Sequence, residues 1–397
     1  MLPDPTASSV AVLSPGHTGL RAVGTETPQD YLAWLNAWHA CADGDVFSHP
    51  AYLAERAGAE ELARAVIFSH ASGSQVLYAF LQRPITQDAC GHAVTEEGYD
   101  LTTPLLYGGP LLSPAAGADE SSVMTDFWQE FRLWARSQHI VSEFHRANPV
   151  TGGLPGYPGT RREQAPHVVK NLAGKTEDEL LLDASKDFRR KLRRTREAGM
   201  ELLVDETGEH HEIFVDLYYA TMRRRGADAR FFYGQHFFEM MQQTFAGQLS
   251  YLFAVYAGRS VSAEMVLCCG DTGYAFLGAT EESSLSTGAN SFLSHSAFLY
   301  AQSRGVRNYV LTGGVTNTEE DSLLRFKFSM AKAGRQSYFT AQQVIDQQRY
   351  TQLSACHPNS AFFPSYRAPE VACTGDCSID SSVHSSVRSP AHRKAHS

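Results

Sequence analysis

The sequence has no excess of positive charge, no leader-like start and no long apolar run. It carries 34 Lys and Arg against 43 Asp and Glu, a formal net charge of -9 over 397 residues, which argues against a general nucleic-acid coat protein because such proteins are basic overall. The first twenty residues lack a basic start followed by an apolar core, and no stretch reaches the roughly 18 apolar residues of a membrane span. We therefore expect a cytoplasmic protein without an integral membrane segment, in which any polyanion is met by a local basic patch.

Cysteine is also scarce and irregularly placed. The seven cysteines are an odd number without the spacing of a disulfide framework, so we expect reduced thiols. Cys356, His357, Cys373 and Cys377 match no compact zinc spacing and fall in a polar tail. The sequence therefore predicts no metal site.

The composition is otherwise that of a globular protein, with 43% hydrophobic and 11% aromatic residues in a chain long enough for two domains. Residues 1–27 and most of residues 353–397 have no apolar periodicity and are rich in small or polar residues, which predicts disorder. Between them we predict a first domain over residues 28–160 and a second over residues 161–352.

Both predicted domains alternate strands with helices. In the second half we predict a strand at 200–204, helices at 212–225 and 237–245, antiparallel strands within 251–277, a helix at 290–303, a strand at 306–311, a short helix through 325–327 and a strand near 337–339. This is the element order of a GNAT acyltransferase domain, and the first half follows a shorter version of it. The predicted fold class is thus α/β, two tandem GNAT-like domains with mixed, mainly antiparallel sheets and an active cleft where they meet.

Several sequence motifs carry a family resemblance. They are residues 100–110 with Tyr107-Gly108-Gly109, residues 142–146 ending at Arg146, a basic helix ending at Gly199, and Gly313-Gly314 followed by residues 321–327. In this order and spacing, over roughly residues 30–352, the chain resembles the Fem-type aminoacyl transferases and the broader FemAB-like GNAT proteins. The resemblance implies transfer of an acyl or aminoacyl group to an amine, with an aminoacyl-tRNA as donor and a nucleotide- or lipid-linked muropeptide as acceptor in characterised Fem ligases. It also implies that Lys327 lies in the active-site channel, with Phe326 as its neighbour. Phe326 and Arg325 are candidate substrate-binding residues.

Lys327 and Glu264 are the candidate catalytic residues. A fixed ammonium beside the reacting ester stabilises the oxyanion that forms when an amine attacks, although a solvated lysine in a short helix has the same sequence. Glu264 interrupts an apolar strand and is a candidate general base if burial raises its pKa, whereas strand alternation also permits it to face solvent. Asp321 is interpreted as a helix N-cap.

Further candidate substrate-binding residues lie on a basic helix and at two strand ends. Residues 186–196 contain seven basic residues against one acid, and Arg189, Arg190 and Arg193 on this helix suggest a site for the phosphates of a tRNA acceptor stem or a pyrophosphate-linked substrate; the alternative is a solvated helix face. Tyr107, Gly108 and Gly109 end a strand where backbone approaches a ligand or forms a structural turn, and Arg146 follows a strand as a substrate clamp would.

The donor is the least determined feature. GNAT acetyltransferases bind the coenzyme A pyrophosphate with a cation or Gln and small residues before the central helix, but here that segment, residues 285–290, begins with Leu285 and ends with Asn290. This departure favours aminoacyl-tRNA as co-substrate without excluding acyl-CoA, and no other cofactor is expected. A peptidoglycan precursor, another peptide or a small amine all remain as acceptors, and a non-catalytic GNAT-like binding module is the alternative from a different class.

Overall fold

A computed structural model describes residues 19–41, 45–150 and 156–369, and its strands form one continuous sheet of 13 strands. From one edge, the order is β1, β2, β3, β4, β6, β13, β7, β12, β11, β10, β9 and β8, with β5 paired to β3. The bounds are β1 (Gly19–Gly24), β2 (Leu62–Ser69), β3 (Gln75–Pro84), β4 (Tyr99–Thr102), β5 (Gly109–Ser113), β6 (Ile140–Arg146), β7 (Thr160–Asn171), β8 (Glu201–Asp205), β9 (Leu249–Tyr256), β10 (Arg259–Cys269), β11 (Thr272–Thr280), β12 (Asn308–Thr312) and β13 (Arg335–Val344).

Ten α-helices are found in the described part of the chain, and several begin at side chains that accept a backbone N–H, as N-caps do. Thr27, Asp119, Ser185 and Asp321 have this role. None of these helices is both long and apolar enough to cross a membrane. The bounds are α1 (Pro28–Ala40), α2 (Pro50–Arg56), α3 (Glu120–Ser137), α4 (Glu177–Leu182), α5 (Lys186–Glu197), α6 (His211–Arg224), α7 (Gln235–Thr244), α8 (Ala289–Ser303), α9 (Ser322–Met330) and α10 (Gln347–Leu353).

The two halves of the chain are joined through β13, which pairs antiparallel with β6 on one side and with β7 on the other. Side chains from both halves also share one core, in which the Phe47 ring packs edge-on against Tyr107 and Tyr274. The last strand of the second half is thus hydrogen-bonded to the first half, and the sheet faces of the two halves are continuous.

Strand β7 was missed by the sequence reading, because residues 160–171 carry Pro166 and many charged side chains, both unusual in a central strand. The structure accommodates Pro166 at an irregularity: the β7–β13 register shifts between Gln336 and Tyr338, and β12 pairs with β7 only from Val168 onward. Proline lacks an N–H, and here it stands where the regular ladder is interrupted.

Both predicted disordered ends extend less far into the chain than expected. Gly19–Gly24 forms β1 on the edge of the sheet, antiparallel to β2, so the prediction of disorder through residue 27 is wrong for this segment. At the other end, Tyr366 is 5% exposed and packs with Leu353 and Val141, so folded structure continues past the predicted end at residue 352. Residues 1–18 and 370–397 lie outside the described part of the chain.

The expectation of reduced thiols is wrong for one pair of cysteines. Cys90 and Cys356, 266 positions apart, are joined in a disulfide, whereas Cys268 and Cys269 are free thiols. The sequence could not indicate this pair, because the loop of Cys90 and the segment after α10 meet only in the folded protein.

Replacing Tyr366 tests whether the C-terminal segment is part of the folded unit. Tyr366→Ala should lower the free energy of unfolding by about 3 kcal/mol or more, as large aromatic truncations in a core do, measured by urea denaturation. Tyr366→Phe, which loses only the hydrogen bond between Tyr366 Oη and Ser142 Oγ (2.7 Å), should cost about 1 kcal/mol. An unfolding curve unchanged by the alanine variant would show that residues 353–369 do not contribute to the fold.

Candidate active site

The loop after β12 and the start of α9 are held together by one carboxylate, that of Asp321. Its Oδ1 accepts the N–H groups of Leu323 and Leu324 at 2.9 and 3.0 Å, and its Oδ2 accepts those of Val315 and Thr316 at 3.0 and 2.9 Å. Backbone hydrogen bonds, with those from Thr316 and Leu324 the strongest, hold the pKa of Asp321 well below its usual range. The N-cap interpretation of Asp321 is confirmed.

These hydrogen bonds fix the start of α9 against the loop after β12, and Lys327 of α9 therefore lies at the end of β12. Lys327 Nζ donates to Thr312 Oγ1 at 2.7 Å and to the Gly313 carbonyl at 2.6 Å. An ammonium has three N–H donors, and among the described residues these are the two acceptors in hydrogen-bond range. The third donor is therefore available to a ligand oxygen.

Burial lowers the pKa of Lys327 to about 7, against the opposing effects of the negative charges of Glu264 and Asp321. The side chain is nevertheless only partly buried. It differs in this from Lys170, whose side chain is 0% exposed and whose Nζ donates to Asp183 and to the carbonyls of Leu180 and Met330. Lys170 is thus satisfied within the protein, whereas Lys327 retains both access and an unused donor.

Strands β11 and β12 separate next to Lys327. They pair in parallel only over residues 272–274 and 308–310, after which β11 continues to Thr280. Where two strands stop sharing a ladder, backbone groups and side chains become accessible between them. Thr312, Gly313 and the Lys327 ammonium lie at this end of β12.

Glu264 lies on β10, the neighbour of β11, and does not face solvent. It is 8% exposed, and its Oε1 accepts from Tyr309 Oη at 2.5 Å. The tyrosine ring passes over Gly273 on β11, where a Cβ atom would stand 2.8 Å from Tyr309 Cδ2. Burial raises the pKa of Glu264 to about 7, while the Tyr309 hydrogen bond and the charge of Lys327 act in the opposite direction. The structure therefore contradicts the solvent-facing alternative.

An aromatic wall from both halves of the chain borders Lys327. The ring of His167 on β7 stacks on Tyr338 of β13, with centroids 3.8 Å apart, and His167 Nδ1 is 2.6 Å from Tyr107 Oη. Burial, with a smaller effect of the Lys327 charge, lowers the pKa of His167 to about 3, so the ring is neutral. Gly313 lies directly against it, since a Cβ atom there would be 2.7 Å from His167 Nε2.

The other predicted residues around these elements have different positions. Tyr107 is 0% exposed and contacts both members of the wall, through its hydrogen bond with His167 and edge-on packing against Tyr338. Gly108 packs so closely on Thr103 that a Cβ atom would meet its Cγ2 at 2.6 Å, and Gly109 begins β5 with φ of 128°, a backbone conformation that favours glycine. Phe326 packs against the core of the second half, and Arg325 is exposed.

Arg146 lines a second feature, a cleft of about 860 Å³ on the same side of the sheet. It shares the cleft with Arg83, Arg162 and Arg367, and its guanidinium lies 5.0 Å from the Phe144 ring centroid. Arg83 and Arg367 form ion pairs with the buried Asp100. Within the described ranges, no carboxylate lies in ion-pair range of Arg146 or Arg162, so the cleft retains positive charge for an anionic ligand.

The arginine cleft and the Lys327 site share strand β13. Thr340 and Gln342 line the cleft from β13, and Gln164 lines it from β7. Tyr338, the stacking partner of His167, is two residues from Thr340 and pairs with Gln164, so it lies on the same face of the sheet. The His167–Tyr338 pair therefore lies on the same sheet face as the cleft residues of β13.

The basic helix α5 packs against both α8 and α9. Thr195 and Lys191 contact Gly288, the N-cap of α8, where a Cβ atom would be 3.1 Å from Thr195 Cγ2. Arg190 and Arg193 are exposed and Arg189 is partly buried, but Arg190 pairs with Asp187 and Arg193 with Glu197. Acidic neighbours thus neutralise part of the positive charge that the sequence suggested.

Sequence reasoning missed His167, Tyr338 and Tyr309, as well as the three further arginines of the cleft. His167 was missed together with β7. Arg83 and Arg367 are 284 positions apart, and both bind Asp100 only in the folded protein. The sequence signal was the segment at residues 160–164. There Arg161 and Glu163 alternate with Arg162 and Gln164, the two side chains that line the cleft.

Comparison with known proteins agrees with this architecture. Residues 183–327 match a family model described as an acetyltransferase (GNAT) domain, and Lys327 is the last residue of the matched segment. The structure is similar to that of FemX (TM-score 0.60, 12% identity, 84% of this chain and 99% of that chain) and to that of L-PGS from Bacillus licheniformis (TM-score 0.50, 13% identity, 80% and 92%). No curated protein sequence matches significantly. The predicted fold class, with two tandem GNAT-like halves, is confirmed for the described residues.

The buried Glu264 predicts a pH dependence of stability. Between about pH 4.5 and 7 the unfolded chain releases the Glu264 proton while the folded protein retains it, so this residue makes stability fall as the pH rises through that window. Glu264→Gln keeps an acceptor for Tyr309 and cannot ionise. Its urea midpoint should equal that of the parent protein near pH 4.5 and exceed it near pH 7.

The exposed Glu282→Gln is the matched control, and its midpoint should follow that of the parent protein at each pH. If the urea midpoints of Glu264→Gln and the parent protein changed with pH in the same way, Glu264 would ionise in the folded protein as it does in water.

Proposed function

Given a Fem-like fold and a GNAT domain in its second half, we propose that this protein is an N-acyltransferase that moves an aminoacyl group to an amine at the Lys327 site. The observation that carries the proposal is the unused donor of the partly buried Lys327 ammonium at the open end of β12. Such a preorganised positive charge is positioned to stabilise a developing oxyanion, because it need not reorganise during the reaction.

In the proposed step, the acceptor amine attacks the carbonyl carbon of the donor, and the carbonyl oxygen takes up negative charge beside Lys327 Nζ. Collapse of this intermediate forms the amide C–N bond and breaks the bond to the leaving oxygen or sulfur. The amine loses one proton, and the leaving group gains one. Glu264 is the candidate base for the amine proton, since burial gives its carboxyl a pKa of about 7, a value suited to proton transfer near neutral pH.

Aminoacyl-tRNA is the proposed donor. Leu285, which stands where coenzyme A-binding GNAT domains have a cation or Gln, is 48% exposed. At the α8 N-terminus, the Asn290 side chain accepts hydrogen bonds from Ser262 and Thr280. The exposed arginines of α5 next to this terminus suit a phosphate backbone. Acyl-CoA is the alternative, favoured by the left-handed Gly288 (φ of 89°) at the start of α8.

The acceptor is proposed to be an amine that also carries phosphate or carboxylate groups, such as a peptidoglycan precursor, a peptide or a small molecule. Arginine binds both anions through paired N–H donors. The cleft that Arg146 and Arg162 line includes Thr340 of β13, two residues from Tyr338, which stacks on His167. An acceptor anchored by its anionic group would thus present its amine to the reacting carbonyl.

Removing the ammonium is the first test of function. Lys327→Ala should reduce kcat by about 100-fold or more, the loss typical of removing one oxyanion donor, with little change in the melting temperature. Lys332→Ala is the matched control, because Lys332 is exposed just beyond the same helix. Retained turnover in Lys327→Ala would refute the catalytic role of the lysine.

The pH dependence gives a separate test of the same residue. Only protonated Lys327 stabilises an oxyanion, and burial lowers its pKa to about 7, so kcat at saturating acceptor should fall above about pH 7. Arginine remains charged throughout this range, and Lys327→Arg should therefore retain its residual kcat at alkaline pH. An identical alkaline fall in both proteins would assign the titration to another group.

Donor choice is tested by incubating the protein with charged tRNA and with acyl-CoA pools, with and without ribonuclease, while following acylated amines by mass spectrometry. Transfer that ribonuclease abolishes supports aminoacyl-tRNA. Ribonuclease-insensitive transfer from acyl-CoA would replace it with the alternative donor, and anion binding without turnover from any donor would identify a binding module.

A further inference from the structure

A cluster of metal-ligand side chains lies outside the Lys327 site, on the loop between β3 and β4. The loop turns tightly at residues 88–91, where Gly91 N donates to the Asp88 carbonyl at 3.0 Å and Asp88 N to the His92 carbonyl at 3.0 Å. Gly91 has φ of 78°, a value that favours glycine. The turn brings the side chains of Asp88, Cys90 and His92 together, with one ligand atom of each lying within 4.8 Å of the other two.

A second cysteine completes the set from the other end of the chain. Cys356, just after α10, forms the disulfide with Cys90, so its sulfur lies at the same cluster. Ala89 N also donates to the Leu353 carbonyl at 2.8 Å, which fixes the turn against the end of α10. One carboxylate, one imidazole and two sulfurs therefore converge at one point.

We propose that, once the Cys90–Cys356 disulfide is reduced, Asp88, Cys90, His92 and Cys356 bind one Zn²⁺ ion. Zinc favours four ligands in a tetrahedron and takes cysteine sulfur, histidine nitrogen and carboxylate oxygen. Preorganisation comes from Asp88, whose Oδ1 accepts the backbone N–H of Cys90 at 2.8 Å and of His92 at 2.9 Å. The cluster therefore holds its ligands through the turn itself.

The disulfide form converts to the zinc-bound form in two steps. A phosphine or dithiol reductant supplies two electrons, and with two protons the disulfide becomes two thiols. Zinc then replaces the two thiol protons, which are released to solvent. In the disulfide form both sulfurs are covalently engaged, so the zinc-binding and oxidised forms exclude each other.

This ligand set differs from the one considered from the sequence, Cys356 with His357, Cys373 and Cys377. Only Cys356 is common to both, and Cys373 and Cys377 lie outside the described residues. In the structure the partners of Cys356 come from a loop 266 positions earlier in the chain, a proximity that no local spacing can reveal.

The site also connects two segments that line the arginine cleft. Residues 86–91 form one part of its rim, and residues 361–363 and 366–368, shortly after Cys356, form another. Either the disulfide or the bound zinc fastens these segments to each other. The metal proposal is independent of the proposed acyl transfer, since it is tested by metal content.

The test uses the full chain, reduced with a phosphine, incubated with Zn²⁺ and freed of excess metal by gel filtration. Metal analysis should find one zinc per chain in the reduced protein and none in the oxidised protein. Cys90→Ser, Cys356→Ser and the double variant Asp88→Asn/His92→Ala should lose the zinc. Cys373→Ser/Cys377→Ser is the matched control and should keep it.

A labelling experiment on the unmodified sequence covers the case in which a cysteine variant fails to fold. Zinc should slow alkylation of Cys90 and Cys356 in the reduced protein, but not that of Cys268, as quantified by mass spectrometry of peptides. Reduced protein without bound zinc overturns the proposal. So does zinc that is lost from Cys373→Ser/Cys377→Ser but kept by Asp88→Asn/His92→Ala.

Discussion

The double pairing of β13 is the constraint on which the rest of this structure depends. One strand from the end of the chain gives its backbone hydrogen bonds to β6 of the first half and to β7 of the second. This makes one sheet of two similar halves, and it places Tyr338, Thr340 and Gln342 in a row between them. Thr340 and Gln342 line the arginine cleft, and Tyr338 stacks on His167 of the aromatic wall beside Lys327.

A protein with a net charge of -9 can still attract an anion where basic side chains converge. Arg83 and Arg367 are held by the buried Asp100, and they form a rigid positive border beside the uncompensated Arg146 and Arg162. The positions of the basic residues matter more than their number. The seven basic residues of residues 186–196 look stronger in the sequence, but ion pairs with Asp187, Glu197 and Glu177 reduce their net effect.

Burial gives the opposite charges of Lys327 and Glu264 their chemical character. Desolvation lowers the pKa of the lysine and raises that of the glutamate, each to about 7. The opposite charges attract each other, but this attraction only partly offsets the desolvation cost of ionising either group. Lys170 differs from Lys327, because its side chain has no exposed surface and its ammonium donates to three acceptors within the protein.

The sequence by itself determined the α/β class, most of the helices and strands of the second half, the N-cap at Asp321 and the candidate Lys327, because each of these follows from local periodicity, capping chemistry or a short motif. Only the tertiary structure decided that β7 is a strand despite Pro166, that Glu264 is buried on Tyr309, and that four arginines share one cleft. It also decided that Cys90 meets Cys356. The physical reason is distance along the chain: these contacts join residues tens to hundreds of positions apart, and they form only in the folded protein.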